Sequence, residues 1–207
     1  MNKFKLYFNL DKEEKWLNEM SDKGWQLYGK TVKYKFHKTP HSNINIKIDY
    51  RNFKSKSDFQ DYIMLFKDSG WEHIIGTKTS GKQYFKKIDE TAGDDIFSDL
   101  FSKAERYKRM ANIWMSLAMS YIPLCIAFIL TKTVDITTIL NPKALYYTPG
   151  LWQKTGASFW RAFLFETPFA IGRGFSWLIF PCLIIIYIIF AVKAQRYYQK
   201  AIPKNKL

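Results

Sequence analysis

The chain has 207 residues, a formal net charge of +14 at pH 7 and a hydrophobic fraction of 47%. Two long apolar runs in its second half leave room for one small soluble domain, which excludes an assembly of several large domains. The mean hydropathy of -0.25 averages a polar half and an apolar half. It therefore does not indicate a soluble globular protein.

Residues 1–87 contain two similar halves. In the first, Phe4, Leu6 and Phe8 alternate with polar residues, which predicts a strand over residues 3–8. A helix follows, with Asp11 as the expected cap and Gly24 at its left-handed end. Two short extended pieces continue to residue 36, so the half reads strand, helix, strand, strand.

The second half repeats this plan. Isoleucines alternate with polar residues over 44–50, Ser57 is the expected cap of a second helix, and Gly70-Trp71 closes that helix forty-six residues after Gly24-Trp25. Two such units predict an α+β fold, a duplicated ferredoxin-like domain. The predicted core consists of Phe4, Leu6, Phe8, Trp16, Leu17, Met20, Trp25, Ile46, Ile48, Phe59, Ile63, Phe66 and Trp71.

Residues 88–109 join this domain to the apolar half. An acidic linker precedes an amphipathic pattern over residues 95–109, with Asp94 or Asp95 as the expected cap. The pattern predicts a juxtamembrane helix. Such a helix could transmit a tilt or rotation between domain and membrane, although a helix that only seats the domain is the simpler interpretation.

Two runs without a charged residue, 110–130 and 175–192, are long enough to cross a bilayer, so we expect a two-helix transmembrane hairpin. Basic residues cluster before the first run and in the tail 193–207, which predicts cytoplasmic termini and an outer, aromatic-rich loop over 131–174. Glu166 and Arg173 lie close to the second run and are the best candidates for a polar site at the membrane. They could pair at i, i+7; snorkelling to the interface is the favoured alternative.

No catalytic, cofactor-binding or metal-binding constellation is evident, so we expect no enzyme and no cofactor. His37 and His41 are separated by a proline turn, and Cys125 and Cys182 lie in the apolar runs without ligand spacing. The glycines form no phosphate-binding loop. A basic ferredoxin-like domain could bind RNA, but residues 81–87 lack the aromatic signature of that class, and no nucleic acid is expected as a partner.

Three stretches carry a family resemblance: KFKLYFNLDKEEKWLNEMSDKGW at the start, FQDYIMLFKDSGWEH later, and IFSD before the basic flank. They resemble a bacterial family known as domain of unknown function 2812. The resemblance implies a membrane-anchored protein, often encoded beside a transcription regulator of the PadR type. It supplies no catalytic residues.

These features together predict a non-enzymatic, multi-pass cell-membrane protein with a cytoplasmic sensory or regulatory domain. Its expected partners are the lipid bilayer and a protein in the membrane or cytoplasm. The alternative is a small transport or immunity component whose hairpin and outer loop bind a peptide or lipid. Removal of the soluble domain would distinguish the two, because only the first role requires it.

Overall fold

The computed structural model describes residues 1–40, 44–131, 141–175 and 178–202. The chain divides into two compact units, Met1–Ala111 with Lys193–Leu207, and Asn112–Val192. The first unit contains two successive strand–helix–strand–strand halves. Their elements are β1 (Asn2–Lys3), α1 (Leu10–Asp22), β2 (Trp25–Lys30) and β3 (Tyr34–Lys38), then β4 (Ile46–Tyr50), α2 (Lys56–Asp68), β5 (Trp71–Ile75) and β6 (Lys82–Lys87).

Each half forms its own three-stranded antiparallel sheet. The strand orders are β1-β3-β2 and β4-β6-β5, so the same arrangement occurs twice. Both helices have 13 residues, and the second begins at the forty-six-residue offset of the sequence repeat. The fold is therefore mixed α+β. A ferredoxin-like fold is not confirmed, because the described strands make two small sheets rather than one continuous four-stranded sheet.

The predicted strand over residues 3–8 is wrong. Only Asn2 and Lys3 pair with β3, and Phe4 and Leu6 are exposed instead of contributing to the core. The chain leaves the sheet after Lys3, and Leu10 at the start of α1 takes the buried position. Residues 4–8 thus show an alternating pattern although, among the described residues, they pair with no strand.

The helix caps are displaced by two residues from those expected. The Asn9 side chain, not Asp11, accepts from the Lys12 amide at 2.9 Å, and Ser55, not Ser57, accepts from the Asp58 amide at 3.0 Å. The predicted glycine ends are confirmed. Gly24 and Gly70 have φ of 75° and 82°, which an L side chain rarely adopts.

Most of the remaining predicted core is inside. Trp71, Tyr62 and Phe85 form a buried cluster under α2, while the side chains of α1 pack on the first sheet. The predicted core residues that are buried are Trp16, Leu17, Met20, Ile46, Ile48 and Trp71; those that are half-buried are Phe8, Trp25, Phe59, Ile63 and Phe66.

A single helix, α3 (Leu100–Leu130), contains most of the segment predicted to be juxtamembrane and the whole first apolar run. It begins five residues later than the 95–109 pattern predicted. Asp99 accepts from the Ser102 amide at 2.8 Å and satisfies a donor of the first turn, so Asp94 and Asp95 do not cap it.

In the second unit, α3 is followed by two short 3-10 turns, α4 (Gly156–Phe175) and α5 (Ile179–Ala201). The segment predicted as an outer loop thus contains all but the last residue of a 20-residue helix. Trp114 contacts Tyr187 at 5.6 Å and Phe128 contacts Phe180 at 5.2 Å between ring centroids, so α3 and α5 run antiparallel. Among the described residues, Leu100–Leu130 and Ile179–Ala201 are the helices long and apolar enough to cross a membrane.

Candidate functional site

Arg106 on α3 is fully buried and is the centre of a polar network in the first unit. Its Nη1 donates to Oε1 of Glu14 and to the Ile48 carbonyl oxygen at 2.7 Å, and its Nη2 donates to Oδ1 of Asp11 at 2.5 Å. Burial lowers the pKa of the guanidinium, but the carboxylates of Glu14 and Asp11 outweigh this effect and raise it. Arg106 therefore joins the start of α3 to α1 and to β4 as a permanent cation.

Tyr107, the next residue, binds the first turn of α1. Its hydroxyl donates to Oδ2 of Asp11 at 2.7 Å and accepts from the Leu10 amide at 3.0 Å. The amides at a helix start have no intrahelical partner, so this hydroxyl satisfies a donor that would otherwise be buried unpaired.

Arg109 makes the third link. Its Nη2 donates to Oδ1 of Asp49 at 2.6 Å and its Nε to the Tyr50 carbonyl at 2.9 Å, while the Tyr62 hydroxyl donates to the other Asp49 oxygen at 2.8 Å. We call the six residues Asp11, Glu14, Asp49, Arg106, Tyr107 and Arg109 the charge clamp. The charge clamp fixes the first turns of α3 to both halves of the duplicated domain.

Glu13, beside Glu14, serves the two sheets rather than α3. Its carboxylate is fully buried and accepts from Lys30 at 2.8 Å, Lys82 at 2.5 Å, and the hydroxyls of Tyr34 and Tyr84 at 2.6 Å each. Burial alone would raise the pKa of the carboxyl, but Lys82 and Lys30 hold it below its ordinary value. Burial and the adjacent Glu13 charge raise the pKa of the Tyr34 hydroxyl.

This arrangement favours a structural role for Glu13. A carboxylate has about four acceptor positions, and four donors already occupy this one. Lys30 lies on a strand of the first sheet and Lys82 on a strand of the second, so a single anion holds the two halves together.

A groove of about 400 Å³ opens beside the charge clamp. Its apolar and aromatic lining consists of Tyr62, Leu65 and Phe66 of α2 together with Phe97 and Phe101. The charged groups along it are Asp49, Arg51, Glu105 and Arg109. Leu65 and Phe101 are exposed, so the groove presents apolar surface together with charges of both signs.

Glu166 and Arg173, the polar-site candidates of the sequence, are brought together in the second unit. Arg173 Nη2 lies 2.9 Å from Glu166 Oε1, so the i, i+7 pair forms. Glu166 also accepts from the Tyr147 amide and, at 2.7 Å, from the Thr148 amide, while Arg173 donates to the Leu145 carbonyl at 2.5 Å. The pair holds residues 145–148 on α4; a site at the membrane stays a prediction.

The described part of the chain contains no group of three histidine, cysteine or acidic side chains that could hold a metal ion. His73 bonds the Gln83 side chain at 2.9 Å, and burial lowers its pKa. His41 lies outside the described residues. Cys125 and Cys182 are free thiols.

A family model described as a protein of unknown function (DUF2812) matches residues 9–119, more than half of the chain. The chain belongs to the DUF2812 family. The matched region of this DUF2812 protein includes the whole charge clamp, Glu13 and the groove, and it ends inside α3. Searches of curated proteins and of solved structures found no match.

Carboxylates on helices ordinarily lie on a solvated face, but Glu13 and Glu14 are buried. Arg106, also buried, belongs to the basic flank that was used only to predict topology. Positions 13 and 14 follow Leu10 by three and four residues and precede Leu17, so both lie on the apolar face of α1. That register is the signal that could have identified them.

Proposed function

We propose that this DUF2812 protein is a non-enzymatic integral membrane protein whose α+β domain is a cytoplasmic sensory or regulatory interaction domain. The observation that carries the proposal is the charge clamp. It attaches the domain to the first turns of a helix that continues without a break into an apolar run. A partner that shifts the domain therefore also acts on the base of that helix.

The groove beside the charge clamp is the proposed contact for a protein partner. Its lining combines exposed apolar side chains with Arg51 and Glu105, a composition suited to a mixed apolar and charged surface. A partner bound there contacts Arg109 of the charge clamp itself. The first candidate is a transcription regulator of the PadR type, because the family resemblance implies that one is often encoded beside such proteins.

The test is site-specific photocrosslinking of the full chain in its native membrane. A photoreactive residue at Leu65 lines the groove, whereas one at Met64 is similarly exposed on the same helix but outside it. We expect a defined protein adduct from position 65 and none from position 64. Identical adducts at both positions, or no adduct at either, would count against the proposal.

The proposed topology places both termini in the cytoplasm. The support is the basic composition of the flank 103–109 and of the tail, in agreement with the positive-inside bias. Single cysteines at Lys54 and Ser158, in a background without Cys125 and Cys182, give the test. An impermeant thiol reagent should label intact cells only at Ser158; labelling at Lys54 would place the domain outside.

A second candidate function is a transport or immunity component that binds a peptide or lipid through the second unit. It is favoured by the Glu166–Arg173 pair and by the ring contacts of Tyr146 with Trp152 and Phe163, both at 5.3 Å. If this function is right, Arg173→Met should abolish the cellular phenotype, and disruption of the groove by Phe101→Glu should leave it intact. The regulatory proposal requires the reverse.

A further inference from the structure

The segment between β1 and α1 exposes two large apolar side chains. Phe4 is 57% exposed and Leu6 is 84% exposed, and Lys3 and Lys5 alternate with them. We call residues 4–8 the amino-terminal arm. The sequence pattern assigned Phe4 and Leu6 to the core, but both lie on the surface. Exposed apolar side chains of this size often mark a contact with a membrane or another protein.

Phe8, the last residue of the amino-terminal arm, lies against the helix ends that adjoin both apolar runs. The Phe8 ring is 6.2 Å from the Tyr197 ring and 4.9 Å from Nζ of Lys193, and Tyr197 is 5.4 Å from Tyr107. Lys193 directly follows the run 175–192, and Tyr107 precedes the run 110–130 by three residues. At about 1.5 Å per residue, Tyr107 and Tyr197 lie within about 8 Å of the ends of those runs.

The helix end that Phe8 contacts is basic. Lys193, Arg196 and Lys200 are exposed on the end of α5, and residues 193–202 include no acidic residue. Lys5 is exposed as well, with its Nζ 4.7 Å from the centre of the Trp16 ring. Exposed apolar side chains beside basic ones, in a segment whose Phe8 contacts residues close to both apolar runs, are complementary to anionic phospholipids. Each cation near such a surface strengthens binding about fivefold.

We propose that the amino-terminal arm is a membrane-surface anchor, which inserts Phe4 and Leu6 into the headgroup region of a leaflet rich in anionic phospholipid. This inference rests on the proposed membrane location of α3 and α5. It adds a third point of membrane contact, one whose strength depends on lipid charge, close to the charge clamp.

The test uses the full chain reconstituted in vesicles of phosphatidylcholine alone or with phosphatidylglycerol. A polarity-sensitive fluorophore is attached to a single cysteine at Leu6, or at Lys23 as a matched control in the same unit. Asp22, the last residue of α1, lies about 18 Å along the helix axis from Leu10, and the exposed Lys23 directly follows it. A third variant carries the fluorophore on native Cys125, within the first apolar run.

We expect lipid-borne quenchers in the headgroup region to quench the fluorophore at position 6, more strongly in phosphatidylglycerol vesicles, and to spare the one at position 23. Insertion of the amino-terminal arm should be favoured in phosphatidylglycerol vesicles over phosphatidylcholine vesicles. Combining Arg196→Gln with Lys200→Gln should reduce that ratio of inserted arm by up to about thirtyfold. These two side chains are exposed, so the change leaves the core intact.

Quenching of position 6 by aqueous iodide as strong as that of position 23, with Cys125 still in lipid, would overturn the anchor alone. Aqueous quenching at both position 6 and Cys125 would overturn the membrane location itself. Protection of position 6 from both kinds of quencher would assign the amino-terminal arm to a protein contact and also overturn the anchor.

Discussion

Replacing Arg106 by methionine tests the charge clamp most directly. Methionine fills a similar volume but removes the cation. Among the described residues, the Ile48 amide at 2.9 Å is then the donor that the Glu14 carboxylate retains. Asp11 is half exposed and can be hydrated instead. Loss of one partner of a buried ion pair costs about 3–5 kcal/mol, so we expect the domain to be destabilised by that amount.

The assay is hydrogen exchange of the purified full chain in lipid nanodiscs, followed on peptides that cover α1. A loss of about 3–5 kcal/mol corresponds to an increase in amide opening of about 10² to 10⁴-fold. Lys108→Met is the control, since it removes a charge two residues away whose partner Glu105 lies at 3.4 Å on the surface. Exposed pairs contribute about 0–1 kcal/mol, so this variant should change exchange by less than about fivefold.

A second change separates the lost cation from lost packing. Combining Glu14→Gln with Arg106→Met removes the buried anion and retains a side-chain oxygen for the Ile48 amide. The combined variant should therefore exchange more slowly than Arg106→Met alone. If Arg106→Met behaved like Lys108→Met, or if Glu14→Gln gave no recovery, the reasoning from burial would be refuted.

Three further predictions concern stability of the first unit. The pKa of Glu13 is lower in the folded state than its ordinary value of 4.5, so the stabilisation from its carboxylate is present above pH about 4.5 and is lost as pH falls through the folded-state pKa. From pH 7 to pH 3 the unfolding temperature should therefore fall more steeply in the wild type than in Glu13→Gln. Parallel curves for the two proteins would contradict this. A Cβ on Gly70 would lie 2.7 Å from that of Ala92, whereas a Cβ on Gly24 would lie 3.2 Å from a carbonyl oxygen. Gly70→Ala should therefore lower the free energy of unfolding by about 1–3 kcal/mol more than Gly24→Ala, and its unfolding temperature should be the lower of the two. Ser55→Ala should cost about 1 kcal/mol in chemical unfolding and Ser57→Ala less than half of that; equal effects would argue against Ser55 as the cap.

The elements that the sequence predicted best are those set by local chemistry. The glycine after each thirteen-residue helix and the alternation of Ile46 and Ile48 depend on backbone geometry and on one buried face, and both are found as expected. The prediction of a strand over residues 3–8 was wrong because alternation does not show whether a neighbouring strand is available for pairing. Phe4 and Leu6 show the pattern without the sheet.

The charge clamp could not be predicted from local sequence patterns, for another reason. Arg106 lies 92 residues from Glu14 along the chain, and each of them alone resembles an ordinary surface charge. Only the fold brings them together, and burial then reverses the usual assignment of charged residues to solvent. The Glu166–Arg173 pair, only seven residues apart on α4, could be anticipated from helix geometry.

The position of Arg106 also has a consequence for the order of events during synthesis. A chain emerges from its amino terminus, and domains generally fold in that order. The counterion of Glu14 is made after both halves of the duplicated domain and only four residues before the apolar run 110–130. The charge clamp can therefore form only after the start of α3 has been made, and a fragment ending at residue 87 retains the Glu14 carboxylate without the arginine that neutralises it.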